Sequence, residues 1–429
     1  MSLKKLKKKL AFINTQSKIF LLILLCFVPF YFCRLYFLPK VILPEEKPVK
    51  IRGMVVQQPY LKGSYQIIRL NSVLVMTGRF PGYFYGDRLE VIGSFKKQLL
   101  GPFNYYYLSV FPSIKKIEEE DSLINKTVFK KLLFKTKGQI KKGISGLLPE
   151  PHASLLLGIL LGMKSQIPLD FWQALRKTGT LHLVVASGQN VSMVSGFLIQ
   201  SLIHFLNRKQ TILVASLGII IYVLMVGSEA PAMRAGIMAI LAFSAQLSGR
   251  EAYSLNILFF SALFMLVFSP LLLFDIGFQL SFMATLGILV IYPLLKAKRL
   301  FSCPILGDGL GVTVAAQITT LPILLVNFGQ ISWLSPFINM LVIPTIPFIM
   351  ILGSGMAFLG LFSNLLSQLL AYFAWLFLNY FIKVVNFFGD LSFVSWELDK
   401  LSGWWAIGYY LLLFLILLRK NIYDRGRLN

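Results

Sequence analysis

Residues 178–198 read TGTLHLVVASGQNVSMVSGFL, an apolar run that holds His182, Ser187, Gln189 and Asn190 within about two and a half helical turns. Polar side chains at membrane depth are costly, and they mark a pathway, a pair or a site. Gly188, set among them, permits a break in the helix or a close approach by a neighbour. Similar intrusions recur downstream: Arg234 in APAMRAGIMAI, Asp275 and Gln279 in DIGFQLSF, Gln317 in VTVAAQITTLP, and Asn339 in LSPFINMLVIP. Asp275 and Gln279 stand four apart and share a helix face. Arg234 and Asp275 fall at corresponding ends of their segments, where pairing makes both charges tolerable. Two uses fit such residues. They line a route for a polar solute, or they are helix-packing and interfacial groups.

Other chemistry is poorly provided for. The histidines are His152, His182 and His204, and no two stand at a ligand spacing such as HxH or HExxH. No phosphate-cradling glycine loop of the GxxxxGK[ST] type is present. No catalytic residue, metal or cofactor is therefore expected, and energy for any transport has to come from elsewhere. The cysteines Cys26, Cys33 and Cys303 offer no disulfide framework.

The elements that must position these residues are mostly membrane helices. Of 429 residues, 56% are hydrophobic, more apolar surface than a soluble fold of this size buries. The expected fold is a polytopic α-helical membrane protein of about ten spans with a small extracytoplasmic β-barrel of OB-like type. Residues 1–38 form a basic N-terminus and an uncleaved first helix. Residues 39–120 are strand-rich and punctuated by Gly and Pro, as in a small barrel. Residues 121–150 place Val128, Leu132, Leu133, Ile140, Ile144 and Leu147 at helical intervals opposite lysines, a pattern for a helix lying on the membrane surface. Residues 151–419 form the bundle, and 420–429 a short tail. ASLLLGILLGM is too short to span, which predicts a re-entrant or protein-buried segment. Further spans are expected at 181–205, 211–227, 231–248, 254–272, 276–295, 308–328, 334–362, 366–388 and 403–419, with Pro344 and Pro347 breaking or tilting the eighth of all ten.

Charge sets the orientation. Lys and Arg number 42 against 18 Asp and Glu, a formal charge of +24. Basic loops fall on one side of this layout and GSEA, FGQIS and DLSFVSWELDK on the other, which places both termini in the cytoplasm of a cell-membrane protein. The remaining positive charge then lies outside, facing lipid headgroups or an anionic partner. In that outer segment Tyr60, Lys62, Tyr65, Arg69, Arg79, Tyr83, Tyr85 and Arg88 interleave rings with cations. Single-strand nucleic-acid binders use this mixture, and so does an ordinary small barrel with an aromatic core and a charged surface.

Three blocks carry a resemblance. LLLGILLGMKSQIPLDFWQALRKTGTLHLVVASGQNVSMV resembles the competence domain of the ComEC family through Gly158, Gly162, Gly179, His182, Ser187 and Gly188. APAMRAGIMA is similar to the family's Pro-x-x-Arg-Ala element through Pro231, Arg234 and Ala235, and DIGFQLSF to its Asp-x-Gly-Phe-Gln-Leu-Ser-Phe element through Asp275, Gly277, Phe278, Gln279, Leu280 and Ser281. The resemblance implies a membrane channel that admits one DNA strand to the cytoplasm during natural transformation. Single-stranded DNA and the lipid bilayer are then the expected partners, with capture by the outer OB-like domain. Where the family commonly has a His after its Ser-Gly pair, this sequence has Asn190. Many members also carry a C-terminal metallo-β-lactamase-like domain. The sequence ends at Asn429 without such a metal motif, so the expectation is the channel part alone, with a separate nuclease and a cytoplasmic motor or DNA-binding protein. A transporter of another anionic or lipid-linked solute and a non-transporting scaffold are the competing readings.

Overall fold

The computed structural model describes residues 25, 27–37, 44, 47–55, 59–62, 65–70, 73–78, 80–83, 87–99, 105–117, 124–164, 167–184, 187–297, 306–360, 362–399 and 401–426. Within the first apolar run, residues 27–36 form helix α1. The outer segment folds as eight strands: β1 (Val49–Met54), β2 (Tyr60–Lys62), β3 (Tyr65–Leu70), β4 (Val73–Gly78), β5 (Arg88–Gly93), β6 (Lys96–Leu99), β7 (Tyr105–Val110) and β8 (Ser113–Lys116). They make two sheets, β1-β5-β8 and β2-β3-β4-β7-β6, linked by a single bridge between Val55 and Leu70. Among the described residues the strands form this pair of sheets, and closure into the barrel expected from sequence is not shown. In β3 the strand alternation turns Gln66, Ile68 and Leu70 to one face, all buried, and Tyr65, Ile67 and Arg69 to the other, where Tyr65 and Arg69 are exposed and Ile67 is buried. Ile68, Leu70, Val75, Leu89, Val91, Phe95 and Tyr107 fill the space between the sheets.

The bundle follows: α2 (Ile124–Leu147), α3 (His152–Leu161), α4 (Leu169–Lys177), α5 (Leu181–Val184), α6 (Gly188–Leu202), α7 (Arg208–Val226), α8 (Ala230–Leu247), α9 (Ser254–Phe268), α10 (Ile276–Ala297) and α11 (Leu306–Phe328). A short strand β9 (Gln330–Ser332) precedes α12 (Ser335–Val342), α13 (Ile346–Leu359) and α14 (Asn364–Gly389), and β10 (Ser395–Glu397) precedes α15 (Gly403–Gly426). Among the described residues six helical stretches are long and apolar enough to cross a membrane: Arg208–Val226, Ala230–Leu247, Ile276–Lys296, Asp308–Phe328, Ser335–Leu359 and Asn364–Gly389. This is the architecture of a polytopic membrane protein. The other expected spans are shorter or interrupted. The 181–205 segment divides at Ser187, whose extended backbone separates α5 from α6. The 254–272 segment gives the 15-residue α9 and then a 3-10 turn at Pro270–Phe274.

The 334–362 segment is interrupted at its prolines. The trace tightens into a 3-10 turn at Ile343–Thr345 and resumes as α13, with Pro344 and Pro347 each at the head of its element, where a missing N–H costs little. In the apolar stripe of α2, Ile140, Ile144 and Leu147 pack on the bundle core with α3 and α13, while Leu132 is exposed. The short α3 is buried in protein along residues 153–161, as its length required.

Candidate functional site

The break at Ser187 is where the polar residues gather. Helix α6 has 15 residues, a rise of about 22 Å, which falls short of an apolar layer of about 30 Å. Ser187 caps it: Ser187 Oγ accepts from Asn190 N at 3.3 Å and donates to Asn190 Oδ1 at 2.9 Å. Asn190, 1% exposed, uses its amide Nδ2 to donate to Ile159 O at 2.9 Å. That carbonyl needs a partner because α3 has just ended. Gly162, at φ 67°, returns its N–H to Gly158 O, and Met163 N turns back to Leu157 O, so Ile159 O is left over. Gly158 lets α3 lie close enough for this bond: a methyl group there would come within 2.8 Å of Val184 Cγ1.

Arg234 stands across from the break. It sits about one turn into α8 and is half-buried. Its Nε donates to Ser281 Oγ at 2.7 Å, and its Nη1 donates to Thr285 Oγ1, the next turn of α10. Phe282, between those two hydroxyls on α10, places its ring 5.9 Å from the guanidinium carbon. Gly188 closes the pocket, since a methyl group on it would lie 2.6 Å from Arg234 Nη2. Among the described residues Arg234 forms no ion pair with a carboxylate. The expected pair with Asp275 is not formed. Asp275 is exposed and caps α10, Oδ1 accepting from Phe278 N at 2.8 Å, and that bond orients the carboxylate along its own helix.

The other sequence candidates divide between backbone partners and a second polar cluster. Gln279 Nε2 donates to Leu273 O at 2.9 Å, and Gln317 Nε2 to Ser332 O at 3.0 Å. His182 is exposed, and its Nδ1 donates to Gly179 O at 2.9 Å. Gly179, at φ +71°, packs against Ser335, whose hydroxyl accepts from Asn339 Nδ2 at 3.1 Å; Asn339 is 1% exposed. Gln189 is half-buried in the first turn of α6. Sequence reasoning passed over Thr285 and named Ser281 without giving it a partner. Their spacing of four on one apolar helix is the signal that could have linked them.

In the outer domain the structure sorts the eight ring and cation candidates. Strand register sets Tyr65 and Arg69 on one face of the five-stranded sheet, together with the buried Ile67 and with Leu74, Met76, Leu108, Val110 and Lys96; the side chains of Tyr60 and Lys62 lie outside the described residues. Tyr65 is exposed and meets Phe111 edge-to-face at 5.4 Å. Tyr83 does not belong to this set: it is 8% exposed and packs in the core between the sheets, where no base could stack on it. Arg88 opens β5 on the other sheet, paired with Met54, and Arg79 and Tyr85 lie outside the described residues. On that second sheet the cations are tied down. Lys50 and Arg52 both bind Glu90, at 2.7 and 2.8 Å, and hold its carboxyl below the usual range, while Lys116 binds Asp87 at 2.8 Å.

Comparison with known proteins follows the same boundaries. The chain is 26% identical over 264 residues to ComE operon protein 3 of Bacillus subtilis (strain 168), covering 61% of this chain and 33% of that one. It is 30% identical over 238 residues to an uncharacterized protein of Aquifex aeolicus (strain VF5), covering 55% and 54%. The chain thus spans about a third and about half of the length of these two relatives. No solved structure matches it. Residues 159–422, which hold the break, Arg234 and every bundle candidate, match the family described as Competence protein, and the chain belongs to that family.

Proposed function

We propose that this protein is a channel that conducts single-stranded DNA across the cell membrane into the cytoplasm. The observation that carries the reading is Arg234, a cation on a membrane-length helix whose partners among the described residues are hydroxyls and not a carboxylate. A guanidinium at that depth calls for a counter-charge, and a strand supplies one phosphate per nucleotide as it passes. Membership of the Competence family points to DNA uptake as the process. The sheet face bearing Tyr65 and Arg69, in a segment whose sequence interleaves rings with cations, supports a nucleic-acid cargo over other anions, because rings stack bases while cations follow the backbone. The outer domain captures the strand and the bundle passes it through. In this reading the chain performs no catalysis. Degradation of the second strand and pulling on the first fall to a separate nuclease and a cytoplasmic motor or DNA-binding protein. Both termini lie in the cytoplasm.

The test is DNA entry. Labelled duplex DNA is added to cells with and without the gene, and DNA protected from external nuclease is counted. Deletion should abolish protection, and the intact gene should restore it. Arg234→Leu should not restore it, and Arg234→Lys, which keeps the charge and loses the fork, only in part. Uptake that is unchanged by deletion would overturn the reading in favour of another anionic or lipid-linked solute.

A further inference from the structure

The turn between α7 and α8 carries three charges with one arrangement. Glu229 immediately precedes α8 and stands five residues before Arg234, roughly 7 Å along the helix axis. Its Oε1 binds Lys164 Nζ at 2.8 Å, and the two side chains are 31% and 33% exposed, so solvent reaches the pair. Lys137 comes from behind. It is 9% exposed on α2, and its Nζ donates to Met225 O at 3.2 Å, one of the carbonyls left over where α7 ends. Burial lowers the Lys137 amine to about 8, and Glu229 works against that shift. Glu229 thus pairs with Lys164 and lies within the electrostatic reach of Lys137, and Lys164, the more accessible lysine, can exchange partners, since a lysine ammonium is a flexible, strongly hydrated point charge.

We infer that Glu229 occupies, in the resting chain, an anion position at the head of α8 that a phosphodiester takes over when a strand arrives, with Lys164 as the contact cation and Lys137 as the charge behind it. This rests on the reading of the cargo as DNA. The next phosphate along the strand then meets Arg234 one step deeper on the same helix. An internal carboxylate in the site keeps out weakly bound small anions, because a newcomer has to displace a tethered competitor that is always at hand. A polyanion held by several contacts can do so.

The sign of two substitutions tests this. Full-length protein in nanodiscs of neutral lipid is titrated with a photoreactive single-stranded oligodeoxynucleotide, and crosslinking to residues 160–170 and 225–235 is read as half-saturation. Glu229→Gln removes the competitor and should lower the half-saturating concentration severalfold. Lys164→Gln removes the contact cation and should raise it severalfold, and Lys164→Arg should restore it. A pair that only braces the turn predicts that Glu229→Gln and Lys164→Gln shift the curve the same way or not at all, and either result overturns the inference while leaving the cargo intact. Should Lys164→Gln not fold, Glu229→Gln decides alone: tighter crosslinking supports the inference, and unchanged or weaker crosslinking overturns it. No crosslinking to wild-type protein anywhere in the chain would overturn the DNA reading, and this inference with it.

Discussion

Gly188 has no space for a methyl group, yet the atom in the way is the far end of Arg234 and not backbone. A flexible guanidinium can move aside, and alanine favours the helix over glycine by about 1 kcal/mol. Gly188→Ala is therefore expected to leave the unfolding midpoint of the purified protein nearly unchanged while pushing Arg234 off Ser281 and Thr285. DNA entry should fall severalfold in the same variant, and wild-type entry would mean that the placement of Arg234 is immaterial. Gly179 is the contrasting case, because its φ of +71° and the Ser335 Cβ at 2.9 Å oppose a side chain with less freedom to yield. At this scale the sequence shows that polar residues interrupt apolar runs, but not what they serve. Asn190 answers a carbonyl 31 residues earlier, Gln317 one 15 residues later, and Asp275 the amide of Phe278. Which backbone groups need answering depends on where each helix stops, and that is set by packing. Arg234 is the member of the set whose charge these bonds leave uncompensated among the described residues.

Proline shows the same accounting at the scale of elements. Pro322 lies inside α11 and has no N–H for Ile318 O, four residues back. Tyr409 Oη donates to that carbonyl at 3.0 Å, and Tyr410 Oη donates to Thr319 O at 2.8 Å. Helix α15 is thus docked at the flaw in α11, and much of the rest of its apolar surface is exposed, from Trp404 to Leu418. In an apolar surround an orphaned carbonyl has no water to turn to. Tyr409→Phe with Tyr410→Phe should lower unfolding stability in detergent by about 2 kcal/mol, at about 1 kcal/mol per bond. An unchanged midpoint would mean that α15 is held by its apolar contacts alone. Sequence periodicity found α15 and the stripe of α2, because amphipathicity and length are local properties. What each part of the α2 stripe meets is not local: Ile140, Ile144 and Leu147 meet the core around α3 and α13, and Leu132 is exposed.

For the whole molecule, the pairing of two short strands constrains the path of everything between them. Strands β9 and β10 are antiparallel, with Ser332 opposite Ser395 and Gln330 opposite Glu397, and Trp333 Nε1 donates to Phe393 O at 2.7 Å. Hydrogen-bonded strands lie on one side of a membrane, so the chain crosses an even number of times between Ser332 and Ser395. Helix α14, with 26 residues, is one membrane-length helix in that interval, and Ser335–Leu359 is the other. On the premise that α14 crosses, the second crosses once as well, because a re-entrant loop there would put the two strands on opposite faces. Length and two prolines are compatible with either path; the contact 63 residues apart in the chain ties the path of one helix to that of the other. Exposed positions make the point measurable. In a chain with Cys26, Cys33 and Cys303 changed to Ser, Glu397→Cys and Asn364→Cys should react with a membrane-impermeant maleimide from opposite sides. In the proposed orientation, with both termini in the cytoplasm, Glu397→Cys is the one labelled on intact cells, and Asn364→Cys is labelled only after permeabilisation. Labelling of both from the same side would require that the β9–β10 pair does not form in the membrane, and the polar cluster of Gln317, Ser332, Ser335 and Asn339 that hangs from it would lose its anchor.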